Sequence, residues 1–479
     1  MQFNSYSYLI YLGLAVALFW WLPVRMRRGF VLGASLLFYA SWSVLLVLLP
    51  VAISAVTYGC ALWMTRRPER KRVALWLGIG TVLTVLAYFK YRFFLAHVAS
   101  QLLGLAQGGP PGTLGIALPL GISFYTFEAV SYLLDARQGR VKKIRFMDSL
   151  LFVMFWPHLV AGPIVRVREL VPQLGFQRVF EARFVLAGMN RILLGLVQKN
   201  LLANSLAGWV DDGFFAEMAK ANSTIDAWTL AVAFGLQIYF DFAAYSNIAI
   251  GSAQLLGVTL PENFNCPYWA GNPPEFWARW HMTLSRWVRD YLFFPVNAKY
   301  GGRTAVLYPS MVAVMSLVGL WHGAGWGFLL WGTMHGLYLA AYRAYQSWRG
   351  TALEKGQSPW GERVLVRAVT VVGIAAAWVP FRAATLGQAG ILLKTMFTRM
   401  DLRISYSVNF YLVTALLALY CVAEPWLGRG LQWTEQRLRG SQWGGAGFDL
   451  VLRPALWSLA VILFLAFDDQ DTAFIYFQF

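Results

Sequence analysis

His322 is the residue whose type and place make chemistry possible. It sits in Trp321-His322-Gly323, between an apolar run over 306–320 and a second over 326–345. Ionisable groups at bilayer depth are rare, and they mark cavities or pathways. A neutral imidazole takes a proton from a hydroxyl near pH 7, which makes it a general base for transfer to an alcohol. It can also carry an acyl group itself. Gly319, Gly323, Gly325 and Gly327 cluster at the break and permit backbone that leaves the helix. Such backbone survives in a bilayer only under protein cover or along a cavity. The expectation is a cavity with an imidazole in its wall. The plainer alternative is a histidine that hydrogen-bonds a neighbouring helix. His335, thirteen residues further on, is expected to point away from His322 on a continuous helix and to tolerate substitution.

The second constellation lies upstream, over 273–291. Pro273 and Pro274 suit a helix start, with Glu275 near its positive end. Trp277, Trp280, Leu284, Trp287 and Tyr291 recur at spacings of three and four, so one helix face carries them. Glu275, Arg279, Arg286, Arg289 and Asp290 fall opposite, with His281 and Ser285 on the border. A helix of this kind lies at an interface or lines a funnel mouth, or it is a generic amphipathic anchor. His281 is the second candidate for chemistry. A third group of polar residues, Gln237, Asp241, Ser246 and Asn247, lies inside an apolar span over 228–256. Asp241 and Tyr245 are four apart and share a face. A carboxylate there orients a histidine or pairs with an arginine.

The elements that must hold these groups are membrane helices. Of 479 residues, 58% are hydrophobic and 13% charged, against about 25% charged in soluble domains. The composition therefore excludes a soluble globular fold. The net charge of +17 is not a nucleic-acid signal, because the basic residues sit in short loops between apolar runs, the positive-inside pattern. The 22 Trp and 22 Tyr suit interfacial belts. Cys60, Cys266 and Cys421 are widely spaced and read as packing residues. The fold class expected is an all-α polytopic integral membrane protein. It has roughly 11–13 membrane helices, with re-entrant or interfacial helices around a central cavity. One domain, 1–479, is expected, with its catalytic core at about 114–346.

Along the chain, residues 6–22 read as a retained helix with an outside N-terminus. Pro50 divides the long run over 30–64 into a hairpin. Residues 107–112 form an external turn. The segment 149–165, with Pro157-His158 and Gly162-Pro163, is broken or re-entrant. His158 lines the same cavity as His322 or satisfies freed carbonyls. The run over 182–206, carrying Arg191 and Lys199, lies partly at the interface.

Tyr239-Phe240-Asp241-Phe242-Ala243-Ala244-Tyr245-Ser246, Pro261-Glu262-Asn263-Phe264-Asn265 and Glu275-Phe276-Trp277 through Trp280-His281 follow one another in the chain. Arg289-Asp290-Tyr291-Leu292, Trp321-His322-Gly323 and Phe474-Ile475-Tyr476-Phe477-Gln478-Phe479 complete the series. In this order the motifs resemble the membrane-bound O-acyltransferase family, in particular its bacterial, alginate O-acetyltransferase-like branch. Asn247 departs from the aspartate expected in that branch. The resemblance implies a multi-pass protein of the bacterial cytoplasmic (inner) membrane and no permanently bound cofactor. It also implies acetyl-CoA from the cytoplasm as donor. The acetyl group would cross to an exported polysaccharide, alginate-like first of all, directly or through an extracytoplasmic acetyltransferase.

Within that expectation His322 is the base and His281 its companion. Arg279, Arg286 and Arg289 face the phosphates of the donor, although headgroup contact explains any single arginine as well. Asp241, Tyr245, Asn247 and Trp321 complete the polar cavity. The chain has no Gly-x-Ser-x-Gly elbow, zinc-ligand spacing or phosphate-binding Gly-x-x-x-x-Gly-Lys loop. The competing class is a transporter or channel subunit of a polysaccharide export system. It would more naturally show paired, repeated broken helices. The basic loops give a topology that can be checked. Single cysteines at positions 28, 70 and 140 should label only from the cytoplasmic side; labelling of 70 or 140 from outside would refute it.

Overall fold

The structure, a computed structural model, describes residues 1–104, 118–141, 143–216, 223–349, 359–398, 401–440, 444–467 and 474–475. The expected turn at 107–112 and the last four residues of the C-terminal motif lie outside the described residues. Most of the described residues are helical, and none of them is in a strand. Lipid dictates this, because a helix satisfies its own backbone groups where water cannot. Among the described residues, seven helices are long and apolar enough to cross a membrane: Leu45–Arg66, Pro68–Leu102, Thr224–Leu255, Thr304–His322, Trp360–Arg382, Val408–Arg439 and Phe448–Ala466. Tyr6–Trp21 is apolar but shorter. The protein is therefore an all-α, multi-pass membrane protein.

Seven is fewer than the 11–13 segments expected. Ile122–Arg137, of 16 residues, and Trp326–Arg349, of 24 residues with His335, Arg343 and Arg349, fall outside that count by length or by polarity. Their buried Glu128, Asp135 and His335 face protein rather than lipid. Counting apolar runs does not separate the two kinds.

The chain folds as two compact units. The first comprises Met1–Ile192 and Ser246–Glu262. Its hairpin turns at Ser41–Val44, before Leu48–Arg66, not at Pro50. Pro50 sits in the first turn of that helix, where its missing N–H is no loss. Phe146–Met154 stops at Phe155, and a single turn, Trp156–Leu159, follows in a wholly buried, broken segment. Among the described residues His158 meets no freed carbonyl; its Nδ1 lies 3.0 Å from the Glu128 carboxylate. Two basic residues of the first loop are likewise engaged. Arg27 donates to the Leu22 and Arg178 carbonyls, and Arg28 pairs with Asp148.

The second unit comprises Leu193–Tyr245 and Asn263–Phe479. Its centre is the pair Thr304–His322 and Trp326–Arg349, joined by only three residues. The two helices run back along each other at backbone distance. A Cβ on Gly332 would lie 2.2 Å from the Met315 carbonyl oxygen, and one on Gly319 2.1 Å from that of Phe328. Gly336 meets the Val312 backbone in the same way. Gly332-x-x-x-Gly336 is the small-residue spacing that brings membrane helices together where no hydrophobic effect drives them. Gly332→Ala should therefore force the backbones apart and cost about 1–3 kcal/mol. Gly80→Ala, at a position with open space around it, should be neutral or slightly stabilising. Thermal unfolding of both variants in one detergent checks the contrast.

Candidate active site

The hairpin places two imidazoles on facing helices. His322 ends Thr304–His322, and Gly323 continues in extended conformation. The next helix returns, so His335 comes back toward His322 instead of pointing away. The Trp331 ring lies edge-to-face with both, 4.9 Å from each imidazole. The expectation that His335 tolerates substitution rests on one continuous helix, and the reversal at Gly323–Gly325 removes that basis. Trp277 packs on His335 at 5.1 Å, and Phe381 on His322 at 5.6 Å. All these side chains are buried.

His322 is held in a defined tautomer. Its Nδ1 lies 2.7 Å from the Val318 carbonyl. A carbonyl oxygen only accepts, so Nδ1 carries the proton and Nε2 carries the lone pair. Trp321, buried beside it, bridges toward His281, with ring centroids 4.8 Å from His322 and 6.1 Å from His281. His281 is fully buried, 4.6 Å edge-on to Phe242. Neither of its ring nitrogens has a hydrogen-bond partner among the described residues.

The segment that carries His281 is not one helix. Pro273–Arg279 ends, Trp280 and His281 leave helical geometry, and Met282–Val288 starts again. The expected faces survive the break. Trp277, Trp280, Leu284, Trp287 and Tyr291 are buried, while Glu275, Arg279, Arg286, Arg289 and Asp290 are not. Asn272 caps the first piece by accepting from the Glu275 N–H at 2.9 Å.

The three candidate arginines separate. Arg286 and Arg289 line a cavity of about 470 Å³ with Trp277, Ser285, Val318 and Arg343. Arg279 does not. It donates to Glu275 through two nitrogens, at 2.8 and 3.0 Å, and to the Asn265 carbonyl. Arg289 is partly neutralised by Asp290 at 2.8 Å. Sequence reasoning misses Arg343, although it continues the stripe Gly332, Gly336, Leu339 on one helix face. The cavity thus combines guanidinium heads, which suit phosphate, with an apolar floor. That floor reaches Val318, whose carbonyl holds His322. A second cavity, of about 630 Å³, is lined by His335, Phe276, Tyr338 and mostly aliphatic residues.

Among the described residues Asp241 pairs with a lysine, not with a histidine or an arginine. The buried Lys199 ammonium lies 2.8 Å from Oδ1, and the Ile475 N–H donates to Oδ2 at 2.7 Å. Lys199, expected near the interface, is buried because this carboxylate neutralises it. Tyr245, one turn on, stacks on Phe474 at 3.9 Å, so the shared face meets the C-terminal segment. Asn247, in the first unit, accepts from Arg191 at 2.8 Å, and Arg191 also pairs with Glu262. Asn247 therefore serves an arginine. With Glu262 present, that arginine is neutralised without an aspartate at 247.

Three buried imidazoles, His281, His322 and His335, and a cavity lined by three arginines thus share one helical membrane scaffold. Comparison with known proteins gives the family. Residues 34–377 match MBOAT, the membrane-bound O-acyltransferase family, and the chain belongs to it. It is 36% identical over 433 residues to "Probable alginate O-acetylase AlgI" of Azotobacter vinelandii, covering 88% of this chain and 84% of that protein. It is 35% identical to "Peptidoglycan O-acetyltransferase" of Helicobacter pylori, over 76% and 72% of the two chains. A "Teichoic acid D-alanyltransferase" of Bacillus subtilis is 31% identical over 48% of this chain and 60% of its own length. The protein is an O-acyltransferase.

His335 turns toward His322, against the expectation that it points away. Its ring contacts with Trp277 and Trp331 contribute about 0.5–1.5 kcal/mol each. His335→Ala should lower both thermal stability and acyl transfer. His335→Phe, which keeps the packing, should recover stability. Activity equal to wild type in the alanine variant would return His335 to the tolerant class.

Proposed function

We propose that this chain transfers an acetyl group from acetyl-CoA, taken from the cytoplasm, to a hydroxyl of an exported polysaccharide. It does so in the bacterial inner membrane, directly or through an extracytoplasmic acetyltransferase. The relatives named for alginate and peptidoglycan O-acetylation support a polysaccharide acceptor, with an alginate-like polymer favoured by the higher coverage. The observation that carries the reading is the His322 Nδ1 contact with the Val318 carbonyl. It leaves Nε2 as the basic atom of a buried imidazole, beside a cavity with three arginines.

In the reaction, Nε2 accepts the proton of the attacking hydroxyl as its oxygen bonds to the thioester carbonyl carbon. The tetrahedral adduct collapses with cleavage of the C–S bond. The imidazolium returns its proton to the departing thiolate, giving the acetyl ester and free coenzyme A. Arg286 and Arg343, with Arg289, hold the donor's phosphates. His281 and Trp321 complete the wall around the reacting atoms. Arg279 supports the segment rather than the ligand.

His322→Ala should lower acetyl transfer by about 10²- to 10⁴-fold at matched membrane expression. Arg286→Ala and Arg343→Ala should raise the apparent donor KM, each by the equivalent of about 1–3 kcal/mol. Arg279→Ala should leave that KM unchanged. Retained transfer in well-folded His322→Ala would overturn the mechanism. An unchanged KM in both cavity variants would move the donor elsewhere.

A further inference from the structure

Three non-glycine residues among those described have a left-handed backbone: Phe176, Cys266 and His281. Two of them belong to one knot, over 263–283. His281 has φ 40° and ψ 55°, and Cys266 has φ 46° and ψ 61°. The loop that begins at Asn263 and runs through Cys266 is tied to the broken helix by backbone bonds in both directions. The Met282 N–H donates to the Asn263 carbonyl at 2.8 Å, and the Asn265 N–H to the Arg279 carbonyl at 3.0 Å. These two bonds engage the groups that a continuous helix would use across Trp280 and His281. Inside the knot the Thr283 hydroxyl donates to Asn263 Oδ1 at 2.8 Å. Asn263 and Thr283 are both buried.

A left-handed residue without glycine costs about 1 kcal/mol or more, and persists where its surroundings over-determine it. Here the surroundings are the loop. In a continuous helix the His281 side chain would follow the helical progression from Trp280. The left-handed turn redirects it, so that the ring lies edge-on to Phe242 and near Trp321, the neighbour of His322. The strain thus fixes the direction of an imidazole that is fully buried and has no hydrogen bond among the described residues to orient it.

We infer that Asn263 and Thr283 are positioning residues: through their hydrogen bond they hold the loop that forces His281 into its left-handed conformation and aims its ring at the His322 site. The inference rests on the acetyl-transfer reading above and adds two residues to it. Neither residue lines the arginine cavity. Loss of their bond therefore acts on turnover and leaves donor binding in the arginine cavity intact.

The test uses full-length protein in detergent, with acetyl transfer measured across donor concentrations. Thr283→Val keeps the shape and removes the hydroxyl; it should lower kcat about tenfold, the equivalent of one lost hydrogen bond of about 1.4 kcal/mol, with the donor KM within about twofold. Thr283→Ser keeps the hydroxyl and should retain wild-type kcat. If the valine variant fails to accumulate, Thr283→Ala, a better helix former, carries the test with the same expectation. An unchanged kcat in the hydroxyl-less variant overturns the inference. So does a loss shared equally by the serine variant, or a loss that appears in KM alone. A wild-type protein without acetyl transfer would instead defeat the proposed function, so the two failures are distinguishable.

Discussion

The second unit depends on one contact, the backbone-to-backbone approach of Thr304–His322 and Trp326–Arg349 through Gly319, Gly332 and Gly336. In lipid, apolar side chains gain nothing by exchanging tails for one another, so close packing of small residues supplies the attraction. That approach sets the distance between the helices, and the distance decides what lies between them. Trp331 fits edge-on to both His322 and His335. The same reversal puts Arg343 on a wall shared with Arg286. A wider spacing would admit lipid and separate the imidazoles from the cavity.

In each unit, buried ionisable groups meet the cost of leaving water in specific ways. Lys199 and Asp241 neutralise each other, and Asp241 also accepts a backbone N–H. Glu128 and His158 pair in the first unit. Arg382 pairs with Asp211 and lies over the Phe234 ring. His281 differs, since it is buried among aromatic rings with no hydrogen-bond partner among the described residues. Polar groups placed at such cost without a structural partner are the ones expected to act.

Much of this architecture is legible in the sequence, and the rest is not, for identifiable reasons. The glycine-rich break after His322 marks the end of a helix, and the tryptophan spacing over 277–291 marks a buried face; the structure has both. That spacing could not show the break at Trp280–His281, because both short helices bury the same side. The break is imposed by Asn263 and Asn265, upstream of both helices. The sequence misplaces His335 because helical arithmetic carries no information about a reversal of direction. The Gly332–Gly336 spacing is the signal that could have shown it. Lys199 reads as interfacial because its partner is remote in sequence, and pairing of that kind leaves no local pattern. The division of three arginines into two that face a cavity and one committed to Glu275 likewise depends on tertiary geometry.

The central claim is that a thioester is cleaved at the His322 site and its acyl group passed to a hydroxyl. The most direct measurement follows free coenzyme A and labelled acetyl together, with purified protein in lipid vesicles, acetyl-CoA and a polysaccharide acceptor. Coenzyme A should be released only when acceptor is present, in equal amount to the ester formed. Label crossing the bilayer with its thioester intact, and no coenzyme A released, would contradict the claim.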